Sequence, residues 1–325
     1  MTDSDDPIDV VISWVDGKEC SYQEKITPYL GHFFSIHEDI NAPTRFNSEG
    51  EIFFCVASIL KFAPFVRQIF IVTDGQDPKL NGFVKINFPD NNIPIKVIDH
   101  KDIFKGYEEL LPTFNSLSIE TLLYRIPDLS ENFVYFNDDF FLLRPVKPTD
   151  WFKNGKAVAY GHWRSIAYDK FISDMRPKKN GHKPFSFKDS MLNAAKVLGK
   201  KQLYFRIRRT PQPLNKSILQ NFFLYHSGTL VANITHKFRQ KTQYNPQALF
   251  YLLAFESKAC IKKSDCGLLL IKPAKKGISY VKRKIKVFEN NKNILFGCIE
   301  SVDMSENSVQ DKLFDWLSTV LEVKM

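Results

Sequence analysis

At 325 residues the chain can bury a sizeable core in one large domain or two small ones. An apolar share of 44%, with 29 Phe, excludes a disordered or fibrous chain. No run reaches the ~18 to 20 uninterrupted apolar residues of a membrane span, and Met1–Asp6 is acidic and polar, unlike a secretory leader, so a soluble cytoplasmic protein is expected.

The first half repeats one theme, a short β-branched or aromatic run that ends near a carboxylate. Ile8–Ile12 runs into Ser13-Trp14-Val15-Asp16-Gly17, and Ile69–Val72 into Thr73-Asp74-Gly75-Gln76. Ile95–Ile98 meets Asp99-His100, and Phe133–Phe136 meets Asn137-Asp138-Asp139. Such runs, bounded by turn formers, predict buried strands. Between them Glu51–Phe62 is apolar on nearly every side and predicts a core helix. Ser116–Ile126 carries Ile119, Leu122, Leu123 and Ile126 at helical spacing and stops at Pro127. The alternation implies an α/β protein with a central, mostly parallel sheet and helices on both faces. Ligands bind such sheets beyond the carboxyl ends of the strands, where Asp16, Asp74, Asp99 and Asp138 would gather.

From Trp151 the pattern changes. A loop-rich, basic stretch (Trp151 to Lys188) precedes helical segments at Asp189–Leu198 and Pro246–Phe255, strand-like runs at Gly267–Ile271 and Ile294–Ile299, and a helix over Ser308–Val323. With no repeat and no low-complexity linker, residues 151–325 are expected to complete the domain begun by residues 1–150. The five cysteines lack Cys-x-x-Cys spacing, and reduced, mostly buried thiols are expected. The net charge of +9 gathers late: Lys272 to Lys286 holds seven basic residues and no acid. That stretch is either a solvated face or a contact for anionic lipid or a phosphate-rich acceptor. No zinc-finger, RNP-like or helix-turn-helix pattern points to nucleic acid.

The strongest local signal is Asn137-Asp138-Asp139. Two adjacent carboxylates at the end of a buried strand are costly unless a cation or donors compensate them. Magnesium or manganese on Asp138 and Asp139, holding a diphosphate, is one such reason; a strand-end turn capping the next element is the plainer one. Trp14-Val15-Asp16-Gly17 and Asp74-Gly75 fit ligand contacts or ordinary Asp-Gly turns. Asn115 and Ser116 open a helix, a place that both caps the chain and binds phosphate.

These motifs resemble the Stealth family, whose members transfer a sugar-1-phosphate from a nucleotide sugar to a glycan hydroxyl. Ile8 to Gly17 is similar to the family's first region. Its next region resembles Arg45 with Glu51, Ala63–Arg67, Ile71–Gln76, Asp99-His100 with Asp102-Ile103, Leu111–Ser116 with Ile119-Glu120, Arg125-Ile126 and Phe136–Asp139. Thinner matches follow at Pro213 with Lys216-Ser217, at Phe238-Arg239 and at Phe296–Cys298. Two departures stand out. Arg209-Thr210-Pro211-Gln212 replaces a His-x-Pro-His pattern, and Cys298-Ile299-Glu300-Ser301 replaces Cys-Leu-Asn-Asp.

The resemblance implies a nucleotide-sugar-transferase-like (GT-A/Rossmann-like) fold with residues 1–150 as the donor-binding core and 151–325 on the acceptor side. It implies a nucleotide-sugar donor, an oligosaccharide or lipid-linked glycan acceptor, and a magnesium or manganese ion on Asp138 and Asp139. Substrate contacts carry over to Trp14, Asp16, Gly17, Arg45, Gly75, Asn115, Ser116, Arg125, Asn137, Lys216 and Arg239. Asp74, Asp138, Asp139 and Glu300 carry the chemistry, with Asp74, Asp138, His100 and Glu300 open as the base. Two rival readings remain: a glycosyltransferase that releases the nucleoside diphosphate, and a catalytically silent polyanion-binding protein.

Overall fold

The computed structural model describes residues 6–30, 47–175, 186–265 and 267–325. Arg45, Cys266, residues 1–5 of the acidic start and residues 176–185 of the basic stretch lie outside them. The four apolar runs form β1 (Ile8–Ser13), β2 (Gln68–Thr73), β3 (Ile95–Asp99) and β4 (Asn132–Asn137). They pair in parallel in the order β3-β2-β1-β4. Consecutive residues of β1, β2 and β4 are buried almost throughout. Since neighbours on a strand point to opposite faces, both faces of the sheet are covered.

One buried residue in this sheet is charged. Asp9 of β1 is fully buried and takes Arg67 Nε at 2.7 Å, an Arg67 amino group at 2.5 Å and the Ser130 N–H at 2.7 Å. Arg67 precedes β2 and Ser130 precedes β4, so Asp9 ties together the starts of three strands.

Glu51–Phe62 is the expected core helix. It packs against the C-terminal helix Asn307–Leu321, where Phe54 and Phe314 stack with ring centroids 5.3 Å apart. Ser116–Ile126 does not form one helix. It divides into an α-helix over Ser116–Thr121 and a 3-10 turn over Leu123–Arg125. Thr121 Oγ1 donates to the Leu117 carbonyl at 2.6 Å, a side-chain bond that bends a helix, and Pro127 ends the segment.

The remaining strands are β5 (Phe140–Leu142), β6 (Phe152–Lys153), β7 (Lys156–Ser165) and β8 (Leu203–Ile207). They are followed by β9 (Gln212–Asn215), β10 (Cys260–Lys263), β11 (Leu268–Ile271) and β12 (Phe296–Ile299). The stretch expected to be loop-rich after Trp151 is instead β6, β7 and a helix over Ile166–Met175 in its described part. Its basic residues Lys156, His162 and Arg164 are half-buried and share one face of β7, where they do not interrupt a strand.

Two pairings couple the late strands to the central sheet. β9 runs antiparallel to β4, with Tyr135 opposite Gln212. β5 leaves the acid pair and runs antiparallel to β12, with Phe140 opposite Cys298. One continuous apolar core extends from Ile8 to Val323. Among the described residues no helix is long and apolar enough to cross a membrane.

Candidate active site

A cleft of about 510 Å³ opens beyond the carboxyl ends of β1 and β4. Its acidic floor forms where β4 turns into β5. Asp138 and Asp139 sit in that turn, open to the cleft and enclosed by protein on their other sides. The Asp139 carbonyl accepts from Ile299 N at 3.1 Å, and the Cys298 thiol lies 3.7 Å from its Oδ2. Its Oδ1 has no hydrogen-bond partner. Glu51 joins the pair from the start of its helix and accepts from the Glu49 N–H at 2.6 Å.

Burial dominates the electrostatics here. It pushes Asp138 well above the usual carboxylate range, with Glu51 and Asp139 adding repulsion. Asp139 rises to about 7, for the same reason, with the Arg209 guanidinium opposing. Glu51 is raised by burial as well. Three carboxyls with heightened proton affinity line one floor.

Cations occupy the facing wall. Arg239 donates to Ser116 Oγ and stands beside buried Glu120, which accepts from Gln247 Nε2 at 2.9 Å. Arg209, between β8 and β9, pairs through Nε with Glu300 Oε1 at 2.5 Å and lies 5.2 Å from the Phe187 ring centroid. Glu300 Oε2 is 2.7 Å from Lys272 Nζ. Gln212 secures the turn that presents Arg208 and Arg209, donating from Nε2 to the Arg208 carbonyl at 2.9 Å and the Thr210 carbonyl at 2.6 Å.

Trp14, Ser116, Asn137, Asp138, Asp139, Arg239 and Glu300 thus line one cleft. Trp14 donates from its indole to Ser48 Oγ at 3.2 Å, and Asn137 accepts the Tyr135 hydroxyl. Arg45 lies outside the described residues.

The other expected residues stand elsewhere. Asp16 and Gly17 belong to a turn off the cleft lining: Asp16 Oδ1 accepts from Lys18 N at 2.9 Å, and Gln76 bonds both the N–H and the carbonyl of Asp16. Asp74 pairs with Lys25 at 3.2 Å behind that turn. Gly75 has φ +70°, and a Cβ there would come 3.2 Å from Asp99 Oδ2, so its place is a matter of backbone shape. Asp99 caps the short helix His100–Ile103. Asn115 is buried as a helix cap bonded to the His236 carbonyl and Gln243 Oε1.

Arg125 binds the Ile103 and Lys105 carbonyls and lines a separate hollow with Tyr107 and Phe223. Lys216 is a correction of a different kind. The antiparallel β4–β9 pairing puts Asn215 opposite Asn132, so Lys216 emerges at the amino edge of the sheet, away from the cleft. His100 lines the cleft from beneath, and burial lowers its pKa to about 4, which keeps it neutral.

The sequence reading missed Glu51 and Glu120 as cleft acids, and Arg208, Arg209 and Gln212 on the opposite wall. Glu51 carried a signal, since it is the one acid on a helix that is apolar on nearly every side. Arg209 carried one only through the family resemblance and Arg208 none, because only the pairing of β9 with β4 brings them to the acid pair.

A hard divalent cation fits the floor. Asp139 Oδ1 is an oxygen without a donor among the described residues, and burial raises the pKa of both aspartates. Among the described residues no three His, Cys, Asp or Glu side chains converge into a ready metal site. Asp138 and Asp139 would therefore supply part of a coordination sphere that a diphosphate completes, the usual arrangement for magnesium.

Residues 45–159 match the model of Stealth protein CR2, conserved region 2. The capsular polysaccharide phosphotransferase fcs1 of Haemophilus influenzae is 32% identical over 319 residues, covering 95% of this chain and 82% of that protein. The capsular polysaccharide phosphotransferase cps12A of Actinobacillus pleuropneumoniae is 33% identical, covering 80% of this chain and 67% of that one. A solved galactosyltransferase, LgtC with donor and acceptor sugar analogs, matches at a TM-score of 0.49 and 11% identity, over 98% of this chain and 96% of that one. That likeness is too loose to transfer any residue. The sequence relatives carry the assignment: this chain belongs to the Stealth family.

Proposed function

We propose that this chain transfers a hexose-1-phosphate or N-acetylhexosamine-1-phosphate from a UDP-sugar to a hydroxyl of a growing surface polysaccharide. The observation that carries the reading is the pairing of an acidic floor, Asp138 and Asp139, with a wall of Arg208, Arg209 and Arg239 in one cleft. The acceptor oxygen forms a bond to the sugar-linked phosphorus. The bond from that phosphorus to the bridging oxygen breaks, and UMP leaves with the electron pair. The hydroxyl proton passes to a cleft carboxyl outside the cation site; Glu51 and Glu120 both have proton affinity raised by burial. Asp138 and Asp139 would hold magnesium or manganese, which would supply charge neutralisation on the phosphoryl oxygens. The arginines orient the diphosphate as forked donors. Membership of a family that includes capsular polysaccharide phosphotransferases supports phosphotransfer over glycosyl transfer.

On this reading residues 1–150 bind the donor and residues 151–325 complete the acceptor side. The basic stretch holds the protein at the inner face of the plasma membrane, near a lipid-linked glycan. Lys272, Lys275, Lys276, Lys282, Arg283 and Lys286 are exposed, the last three on the helix Ile278–Asn290. Salt-sensitive binding to anionic vesicles, falling when Lys282, Arg283 and Lys284 are neutralised, is the expected result; salt-insensitive binding removes the membrane role.

The test of function is product identification. The protein is incubated with magnesium or manganese, a panel of UDP-sugars and an oligosaccharide pool, and the released nucleotide is resolved. UMP, lost in Asp138→Asn, supports the proposal. UDP makes the protein a glycosyltransferase. Polymer binding without donor turnover makes it a polyanion-binding protein.

A further inference from the structure

We propose that Arg209 is the cation that contacts the transferred phosphoryl group, and that Glu300 is the positioning residue that aims it rather than the general base. The proposal rests on the phosphoryl-transfer reading of the cleft. A general base must offer a free oxygen to the attacking hydroxyl. Glu300 has Oε1 2.5 Å from Arg209 Nε, an ion pair by distance without hydrogen-bond geometry, and Oε2 2.7 Å from Lys272 Nζ. Each oxygen already meets a cation.

Arg209, by contrast, is held and still has donors to give. Its backbone turn is clasped by the Gln212 side chain, its Nε edge by Glu300, and its face by the Phe187 ring. Both terminal amino groups lack a hydrogen-bond partner among the described residues, although the side chain lines the cleft. A guanidinium fixed on one edge presents its remaining donors in a plane, the geometry that suits a tetrahedral phosphate. The guanidinium also lines the same cleft as the acid pair. A phosphoryl group bound between these walls would lie against Arg209. The family's histidine is absent at this position, so the substitution replaces a titrating group with a fixed charge and a partner carboxylate to hold it.

The experiment compares the full chain with Arg209→Ala, Arg209→Lys, Glu300→Ala, Glu300→Gln and the Arg209→Ala/Glu300→Ala double variant. Folding of each is checked by thermal melting. Calorimetric binding of UDP with magnesium is measured alongside turnover of UDP-N-acetylglucosamine with an oligosaccharide acceptor. Arg209→Ala is expected to weaken UDP binding about tenfold and to lower kcat/KM on the order of 100-fold, with Arg209→Lys recovering only part. Glu300→Ala should lose about tenfold, Glu300→Gln less, and the double variant should equal Arg209→Ala within twofold, because Glu300 acts through Arg209.

Equal, near-complete loss in both Glu300 variants, additive to Arg209→Ala and rescued by formate, would make Glu300 the base and overturn the proposal. UDP binding and turnover within twofold of wild type in Arg209→Ala would overturn it as well, as would failure of the wild type to bind UDP. Release of UDP instead of UMP would sink the functional reading, while the Arg209–Glu300 coupling is still decided by the UDP-binding cycle.

Discussion

Replacing Asp139 by Asn separates stability from chemistry at the floor of the cleft. The carboxyl has its pKa raised from 3.8 to about 7, chiefly by burial. At about 1.4 kcal/mol per pH unit, keeping it ionised in the fold costs up to about 4 kcal/mol. Water in the open cleft reduces that figure, so roughly 2–4 kcal/mol is expected. The sign follows from the direction of the shift. A carboxyl whose folded pKa lies above its unfolded value destabilises the fold progressively as pH rises from about 4, and fully above about 7. The uncharged amide escapes this cost. In cation-free buffer Asp139→Asn should therefore melt higher than wild type at pH 8, and the difference should shrink towards pH 5. Magnesium or manganese should raise the wild-type midpoint at pH 8 and leave Asp139→Asn nearly unmoved, while donor turnover is lost in the variant. Thermal melts across pH 5–8, with chelator or cation, read all three effects. A variant no more stable than wild type at pH 8 would refute the claim that the fold leaves this charge uncompensated.

Three further outcomes follow from residues away from the cleft. Arg67→Ala strands the fully buried Asp9 carboxylate and should cost about 3 kcal/mol, the low end for a broken buried pair because Arg67 is 41% exposed. Asp9→Ala leaves an arginine that can turn to water and should cost less, about 1–2 kcal/mol; urea titration giving the reverse order would refute the asymmetry. Asp169, bonded to Arg164 at 2.9 Å and to the Tyr204 hydroxyl at 2.8 Å, has its pKa lowered to about 2. It contributes about 2 kcal/mol above pH 4, lost as pH falls towards 2, and Asp169→Asn should flatten that part of the stability profile. Gly161→Ala should destabilise the β7–β8 pairing, since a Cβ there would lie 2.5 Å from the Arg206 carbonyl oxygen; an unchanged melting midpoint would show that the strands can part without loss.

The parallel sheet was legible because three of its strands, β1, β2 and β4, are buried on both faces, which leaves continuous β-branched and aromatic runs such as Ile69–Val72. The later strands were not. β7 mixes Lys156, Gly161, His162 and Arg164 with its apolar residues, and β9 is Gln-Pro-Leu-Asn, a composition that gives no strand signal. Their identity comes from their neighbours, β9 from β4 and β7 from β8 and β10. The site divides in the same way. Asp138 and Asp139 were readable because a strand that ends in two acids is costly anywhere. Asp16 and Asp74 sit in comparable positions but bend away: Gln76 clasps the backbone of Asp16, and Lys25 neutralises Asp74. Local sequence marks where a carboxylate leaves a sheet; only packing decides whether it then faces ligand or a lysine.

The substitutions in the later half gain a physical sense from the cleft's charge. Its lining sets the acids Glu51, Glu120, Asp138 and Asp139 against Arg208, Arg209 and Arg239. Where the family resemblance implies histidines, this chain has Arg209 and Gln212, neither of which takes a proton near neutrality. The remaining histidine of the lining, His100, is buried and neutral. On the proposed reading proton transfer would fall to carboxyls, which are poor bases at their ordinary pKa and become competent when burial raises it. Burial does so at Glu51 and Glu120. The features that make the floor unstable are those that would let a carboxylate do a histidine's work, and on the proposed reading the arginine wall would hold a donor's phosphates beside them.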